Sequence, residues 1–145
     1  MKGKQKILVK EAIIELLKLS LQRGCKVEFC APEDPLEERG SFFPHNIKIE
    51  IYKERTDPLT AWHVYAFAHE YKHLNQYLSL DGVDSWLYCI DCVAKNNHKE
   101  DARLEMDADT YAVQFVKDRG IKIPQELLTW VKDRKEYYSN IDLNV

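Results

Sequence analysis

The chain lacks any run close to the ~18–20 apolar residues that a membrane-spanning helix needs, which argues against a membrane-embedded protein. It also lacks a Lys/Arg block. The 21 basic and 24 acidic side chains leave a net charge of −3, so there is no electrostatic footprint for DNA or RNA, and nucleic acid is not expected as a partner. Glycine and proline are scarce, five of each, and no linker or low-complexity segment divides the sequence. No internal repeat is visible. With 45% hydrophobic and 31% charged residues, a single domain over residues 1–145 with a real core is expected. No secretory leader is expected either, because Lys10, Glu11, Glu15 and Lys18 interrupt the apolar stretch that follows Lys2, Lys4 and Lys6. The expected location is the cytoplasm.

Only four cysteines are present, Cys25, Cys30, Cys89 and Cys92, and a reducing compartment would keep them as thiols. Cys89-Ile90-Asp91-Cys92 is a C-x-x-C pair that could join Cys25 and Cys30 in a four-thiolate structural zinc site. Against this, Cys25 and Cys30 stand at odd separation around an alternating strand, which would aim their side chains at opposite faces. Buried thiols are the simpler expectation.

What the chain does have is Ala68-His69-Glu70-Tyr71-Lys72-His73, an H-E-x-x-H pentapeptide inside a helical run. Residues four apart on an α-helix differ by about 400° of rotation and roughly 6 Å of rise, so His69 and His73 project from one face. Two imidazoles so placed can grip one metal ion. Glu70, rotated about 100° from His69, can lie beside the metal, where a general base acting on water must stand. The competing reading is an amphipathic helix with two solvated histidines and a surface glutamate.

Context favours the metal. Leu104-Glu105-Met106-Asp107-Ala108-Asp109-Thr110-Tyr111-Ala112 lies on a second helical run. Catalytic zinc sites commonly combine two His and one Glu, and Glu105 is the expected third ligand. Asp109, one turn further along the same face, can accept the free ring N–H of a ligand histidine and fix its tautomer. His98 is the alternative third ligand.

These residues carry a resemblance. H-E-x-x-H with a downstream Glu and an Asp four residues later, here His69, Glu70, His73, Glu105 and Asp109, resembles the gluzincin metallopeptidases. Ala66 to Leu74 followed by Glu105 to Ala112 looks most like the ImmA/IrrE family metallo-endopeptidases, over roughly residues 26–119; Tyr71-Lys72 stand where small residues are frequent in that family. The resemblance implies an α+β, zincin-like minimal metallopeptidase fold in which a small antiparallel sheet packs with helices. It also implies one catalytic Zn2+, and a protein or peptide substrate such as a regulatory protein. Glu70 would be the general base of peptide-bond hydrolysis, with Tyr111 or His98 as candidate donors to the developing oxyanion. For both, the plainer reading is a core aromatic and a solvated loop histidine; His45 and His63 are read as solvated too. The alternative function is a catalytically inactive, zinc-containing interaction module.

Periodicity supplies the elements. Ile7, Ile13, Ile14, Leu16, Leu17 and Leu21 predict a packing helix over 5–22 closed by Gly24. Residues 25–31 and 46–52 alternate as strands, the second through Ile47, Ile49 and Ile51, with a turn or hairpin arm over 31–41 and an extended Phe42-Phe43. Asp57-Pro58 predicts the start of the active-site helix, which runs to about Leu78 before a turn at Asp81-Gly82. A short helix capped by Asp84 and carrying Trp86, Leu87, Ile90 and Val93 comes next. Asn97 and Glu100 form a capping box for the helix that carries Glu105 and closes at Gly120. Pro124 opens a last helix, and the tail from Ser139 is expected to lack order.

Overall fold

The computed structural model describes residues 3–32, 39–79 and 99–143. In chain order these form α1 (Gly3–Gln22), β1 (Lys26–Cys30), β2 (Gly40–Phe43), β3 (Lys48–Tyr52), α2 (Ala61–Leu78), α3 (Lys99–Asp118) and α4 (Gln125–Leu143). The class is α+β, as expected. The expected turn at Asp81-Gly82, the helix around Trp86, Leu87, Ile90 and Val93, the Cys89/Cys92 pair, the Asn97 cap and His98 fall outside the described residues.

Helix α1 buries Val9, Ala12, Ile13, Leu16 and Ser20, whose spacing of three or four puts them on one face. The apolar set read from the sequence is only half right: Ile7, Ile14 and Leu21, seven apart, face solvent instead. The helix ends where expected. Gly24 adopts φ 75°, its N–H donates to Leu21 O (3.0 Å), and the Cys25 N–H donates to Ser20 O (2.9 Å), the paired bonds of a Schellman ending.

The sheet corrects the antiparallel expectation. Its order is β1-β3-β2, with β1 parallel and β2 antiparallel to β3, so the sheet is mixed. Alternation tells which face of a strand is apolar and leaves its partner open. The strand with the cleanest alternation takes the centre: Ile49 and Ile51 of β3 are fully buried. Strand β3 also begins later than expected, because Ile47 closes the β2–β3 turn at φ 48°, a left-handed conformation unusual for a β-branched residue. Its carbonyl accepts the Lys26 N–H (3.0 Å), tying that turn to β1.

Helix α2 starts three residues after Pro58. Asp57 belongs to a turn, its N–H donating to Glu54 O (3.1 Å), and Thr60 is the N-cap. The residue at N3 is His63, whose Nδ1 accepts the Thr60 N–H at 2.9 Å, a capping-box role usually filled by Glu or Gln. His63 is therefore buried rather than solvated, and burial lowers its pKa to about 4. Along α2, twelve residues from Ala61 to Leu74 are buried. Ala68 on α2 and Ala108 and Ala112 on α3 are fully buried, and such small side chains let two helices approach closely; the α2–α3 contact is the most extensive between elements. Helix α3 ends at a second Schellman turn, where Gly120 (φ 72°) donates to Lys117 O and Ile121 to Val116 O. Helix α4 continues through Ser139 to Leu143, correcting the expectation of an unordered tail.

One hydrophobic cluster unites α1, β3, α2, α3 and α4, from Val9 and Leu16 through Ile49, Ile51, Phe67 and Leu74 to Phe115, Val116 and Leu127. Among the described residues no helix is long and apolar enough to cross a membrane.

Candidate metal centre

The α2–α3 contact brings together the residues that spacing singled out. His69 and His73 stand one turn apart on α2, and Glu105 meets both from α3: Oε2 lies 3.1 Å from His69 Nε2, and Oε1 lies 2.9 Å from His73 Nε2. The two Nε2 atoms are 3.1 Å apart. In a tetrahedral zinc site with metal–ligand bonds of 2.0–2.1 Å, neighbouring ligand atoms are separated by about 3.3 Å. Nearly the same triangle is already drawn by His69, His73 and Glu105.

Their partners fix what these nitrogens can do. His69 Nδ1 faces Asp109 Oδ1 at 2.8 Å, and because a carboxylate only accepts, Nδ1 carries the hydrogen. His73 Nδ1 faces Gln76 Oε1 at 2.8 Å, while Gln76 Nε2 donates to Leu104 O at 3.0 Å, which orients the amide. His73 Nδ1 is therefore a donor too. In their neutral forms, both Nε2 atoms then present lone pairs to each other and to the Glu105 carboxylate. Three acceptors at such range repel unless a proton or a metal ion lies among them.

The surrounding charge supplies the same demand. Burial alone would favour a neutral His69, but the Asp109 and Glu105 carboxylates, at 2.8 and 3.1 Å, and the nearby Glu70 charge outweigh it and raise its pKa to about 10. His73 is raised as well: burial opposes the shift, and Glu105 and Glu70 overcome it. Glu105 moves the other way. Burial favours its neutral form, yet the two histidines hold it well below the usual carboxylate range. A pocket that holds a proton this tightly at a histidine is built for positive charge, whether carried by a proton or a metal.

Asp109, the expected partner of a ligand histidine, gathers two residues that the sequence did not single out, Tyr65 and Arg134. Asp109 is held below its ordinary pKa, against burial, by His69, Arg134 and Tyr65. Tyr65, one turn before His69, donates from Oη to Asp109 Oδ1 at 2.6 Å, and burial together with the Asp109 charge keeps its hydroxyl protonated. Arg134 of α4 donates from Nε to Asp109 Oδ2 (2.9 Å) and from Nη2 to Glu105 Oε2 (2.7 Å). The spacing of Tyr65 and Gln76 on the His69/His73 face was a usable signal. For Arg134 there was none, since only tertiary packing brings α4 here. With both imidazoles neutral, as metal ligands must be, three carboxylates (Glu70, Glu105, Asp109) and one guanidinium leave two negative charges, the complement of a divalent cation.

Glu70 lies beside the triangle, Oε1 3.9 Å from His69 Nε2, and is buried. Behind it is β2: a Cβ built on Gly40 would lie 3.2 Å from Glu70 Cγ. Tyr111 is placed among Tyr71 (6.3 Å between ring centroids), Phe115 (6.1 Å) and the Lys72 ammonium (5.6 Å). A second group of possible ligands, Glu28, Cys30 and Glu50, lies on the sheet, but Lys48 already pairs with Glu50 (3.1 Å) and Glu28 (3.9 Å). Cys25 is a buried free thiol, its pKa pushed up to about 11 by burial, with a backbone hydrogen bond from Ile49 partly offsetting this.

Comparison of the chain with protein-family models, with curated proteins and with solved structures returned no match.

Proposed function

We propose that this chain is a zinc-dependent endopeptidase of the gluzincin kind, zincin-like in fold, resembling the ImmA/IrrE family and acting in the cytoplasm on a protein or peptide. One observation carries the reading: two imidazole lone pairs and a carboxylate from a second helix converge within 2.9–3.1 Å of one another, each oriented by a partner of its own. His69, His73 and Glu105 would hold the metal. A zinc ion so held would supply Lewis acidity and would lower the pKa of water from 15.7 toward ~7.

The protein's own residues do the rest. Glu70, placed beside the ligands and not among them, takes a proton from the attacking water and returns it to the leaving amine. Asp109 keeps the His69 ring turned with Nε2 inward, and Gln76 does the same for His73. Strand β2 pairs only with β3 among the described residues, and its first residue abuts Glu70. An extended peptide adding along the outer edge of β2 would therefore pass the base, with main-chain hydrogen bonds setting its register.

Two measurements made together test this. Metal analysis of the purified protein should give one zinc per chain, and a mass-spectrometric search should find peptides cut by wild type and spared by Glu70→Gln. Zinc without any Glu70-dependent cleavage would instead favour an inactive, zinc-containing interaction module.

A further inference from the structure

Glu105 offers a metal more than it needs. Both of its oxygens face histidine nitrogens, Oε1 toward His73 and Oε2 toward His69, at 2.9 and 3.1 Å. A carboxylate in this pose can chelate through both oxygens, and doing so would crowd the coordination position that water or substrate must occupy. That position stays open when the two oxygens are made unequal.

Arg134 reaches one of them from α4. Its Nη2 donates to Oε2 of Glu105, and its Nε to Oδ2 of Asp109, so one planar fork ties together two carboxylates a helical turn apart on α3. The guanidinium is itself held over Trp130 (4.5 Å to the ring centroid) and near Tyr138 (5.2 Å). We propose that Arg134 is a positioning residue that makes Glu105 a one-oxygen ligand: it engages Oε2, leaves Oε1 for the metal, and so keeps a coordination position open. This rests on the metal-centre reading above.

A different role for the same arginine would be charge balance alone, and the two roles have opposite signatures. A guanidinium that merely offsets carboxylate charge repels a divalent cation, so its loss would tighten metal binding and leave the coordination number unchanged. Loss of a positioning guanidinium frees Oε2, and the coordination number rises.

Cobalt(II) in place of zinc reads this directly, because its visible d–d bands weaken as four-coordinate geometry gives way to five or six. Wild type, Arg134→Met and Arg134→Lys would be compared at full cobalt occupancy, with circular dichroism to verify the fold. The bands of Arg134→Met should fall at least twofold. Arg134→Lys keeps the charge and most of the stem but cannot fork to Glu105 and Asp109 together, so its bands should fall by less. Bands of wild-type intensity in both variants would overturn the proposal. If Arg134→Met does not fold, Arg134→Lys decides alone by the same criterion. Wild-type protein that takes up neither cobalt nor zinc would overturn the metal-centre reading itself, a result distinct from an unchanged variant spectrum.

Discussion

Substituting Gly40 by alanine is the sharpest steric probe of the proposed base. A Cβ at position 40 would meet Glu70 Cγ at 3.2 Å, the Glu50 carbonyl oxygen at 3.3 Å and Ile51 Cδ1 at 3.3 Å. The carbonyl belongs to the central strand and Ile51 is fully buried, so neither yields readily. The Glu70 side chain must take up most of a displacement of roughly half an ångström, if ordinary contact begins near ~3.5–4.0 Å. A 1 Å misplacement at a reacting centre costs about 10²-fold, so a shift of half that size should lower kcat about tenfold, or about 1.4 kcal/mol on the barrier. The stability cost should be small: overpacking costs about 1–3 kcal/mol, and replacing a strand glycine returns about 0.5–1 kcal/mol. The assay is steady-state cleavage of a peptide found in the substrate search, with zinc content and thermal unfolding measured on the same sample. The expected outcome is a tenfold loss in kcat with KM and zinc content near wild type. Wild-type kcat at full zinc occupancy would refute the steric argument and, with it, the placement of Glu70 against β2.

Three further outcomes are expected. Asp109→Asn should weaken zinc binding about 10- to 100-fold in a chelator competition, because the neutral amide no longer enforces the inward turn of His69 Nε2. Chelation of the metal should lower Tm by roughly 5–10 °C, since a ligand at 100 times its Kd contributes about 2.7 kcal/mol to the folded state, and Glu105→Ala should abolish that difference. His63 gives a pH signature away from the metal. Its folded pKa, lowered by burial and by the Arg39 and Lys53 charges, is about 4 against an ordinary 6.5, so the unfolded chain takes up the proton first. Its contribution is complete above pH 6.5 and is lost as pH falls toward 4, a decline of about 3 kcal/mol. His63→Gln retains a side chain suited to N3 and should flatten that decline in urea unfolding; parallel curves for the two proteins would refute the assignment.

The parts of the centre that were legible in the sequence are those whose chemistry depends on spacing within one helix. His69, Glu70 and His73 needed only the 3.6-residue turn, and Glu105 with Asp109 needed only a second helix nearby. The second tier of partners was partly hidden. Tyr65 and Gln76 fall on the same face of α2, yet a tyrosine or glutamine at such a position usually signals nothing. Arg134 arrives through tertiary packing and leaves no local trace. Alternation found β3 and its buried isoleucines but could not tell a parallel neighbour from an antiparallel one. At the start of α2, Asp57-Pro58 is the stronger local signal, and it lost to Thr60 because His63, buried beside the cap, closes a box that its residue type does not advertise.

The placement of His73 on α2 and Glu105 on α3 has a further consequence for the chain that joins them. A metal ion shared by the two helices would act as a staple across some thirty intervening residues, and by the chain-entropy relation used for cross-links such a clasp restricts the denatured ensemble by about 3–4 kcal/mol. The same logarithmic law makes the span forgiving, since doubling its length would cost only about 0.6 kcal/mol. Added length between the two ligands that left both helices intact would therefore loosen the clasp only slightly.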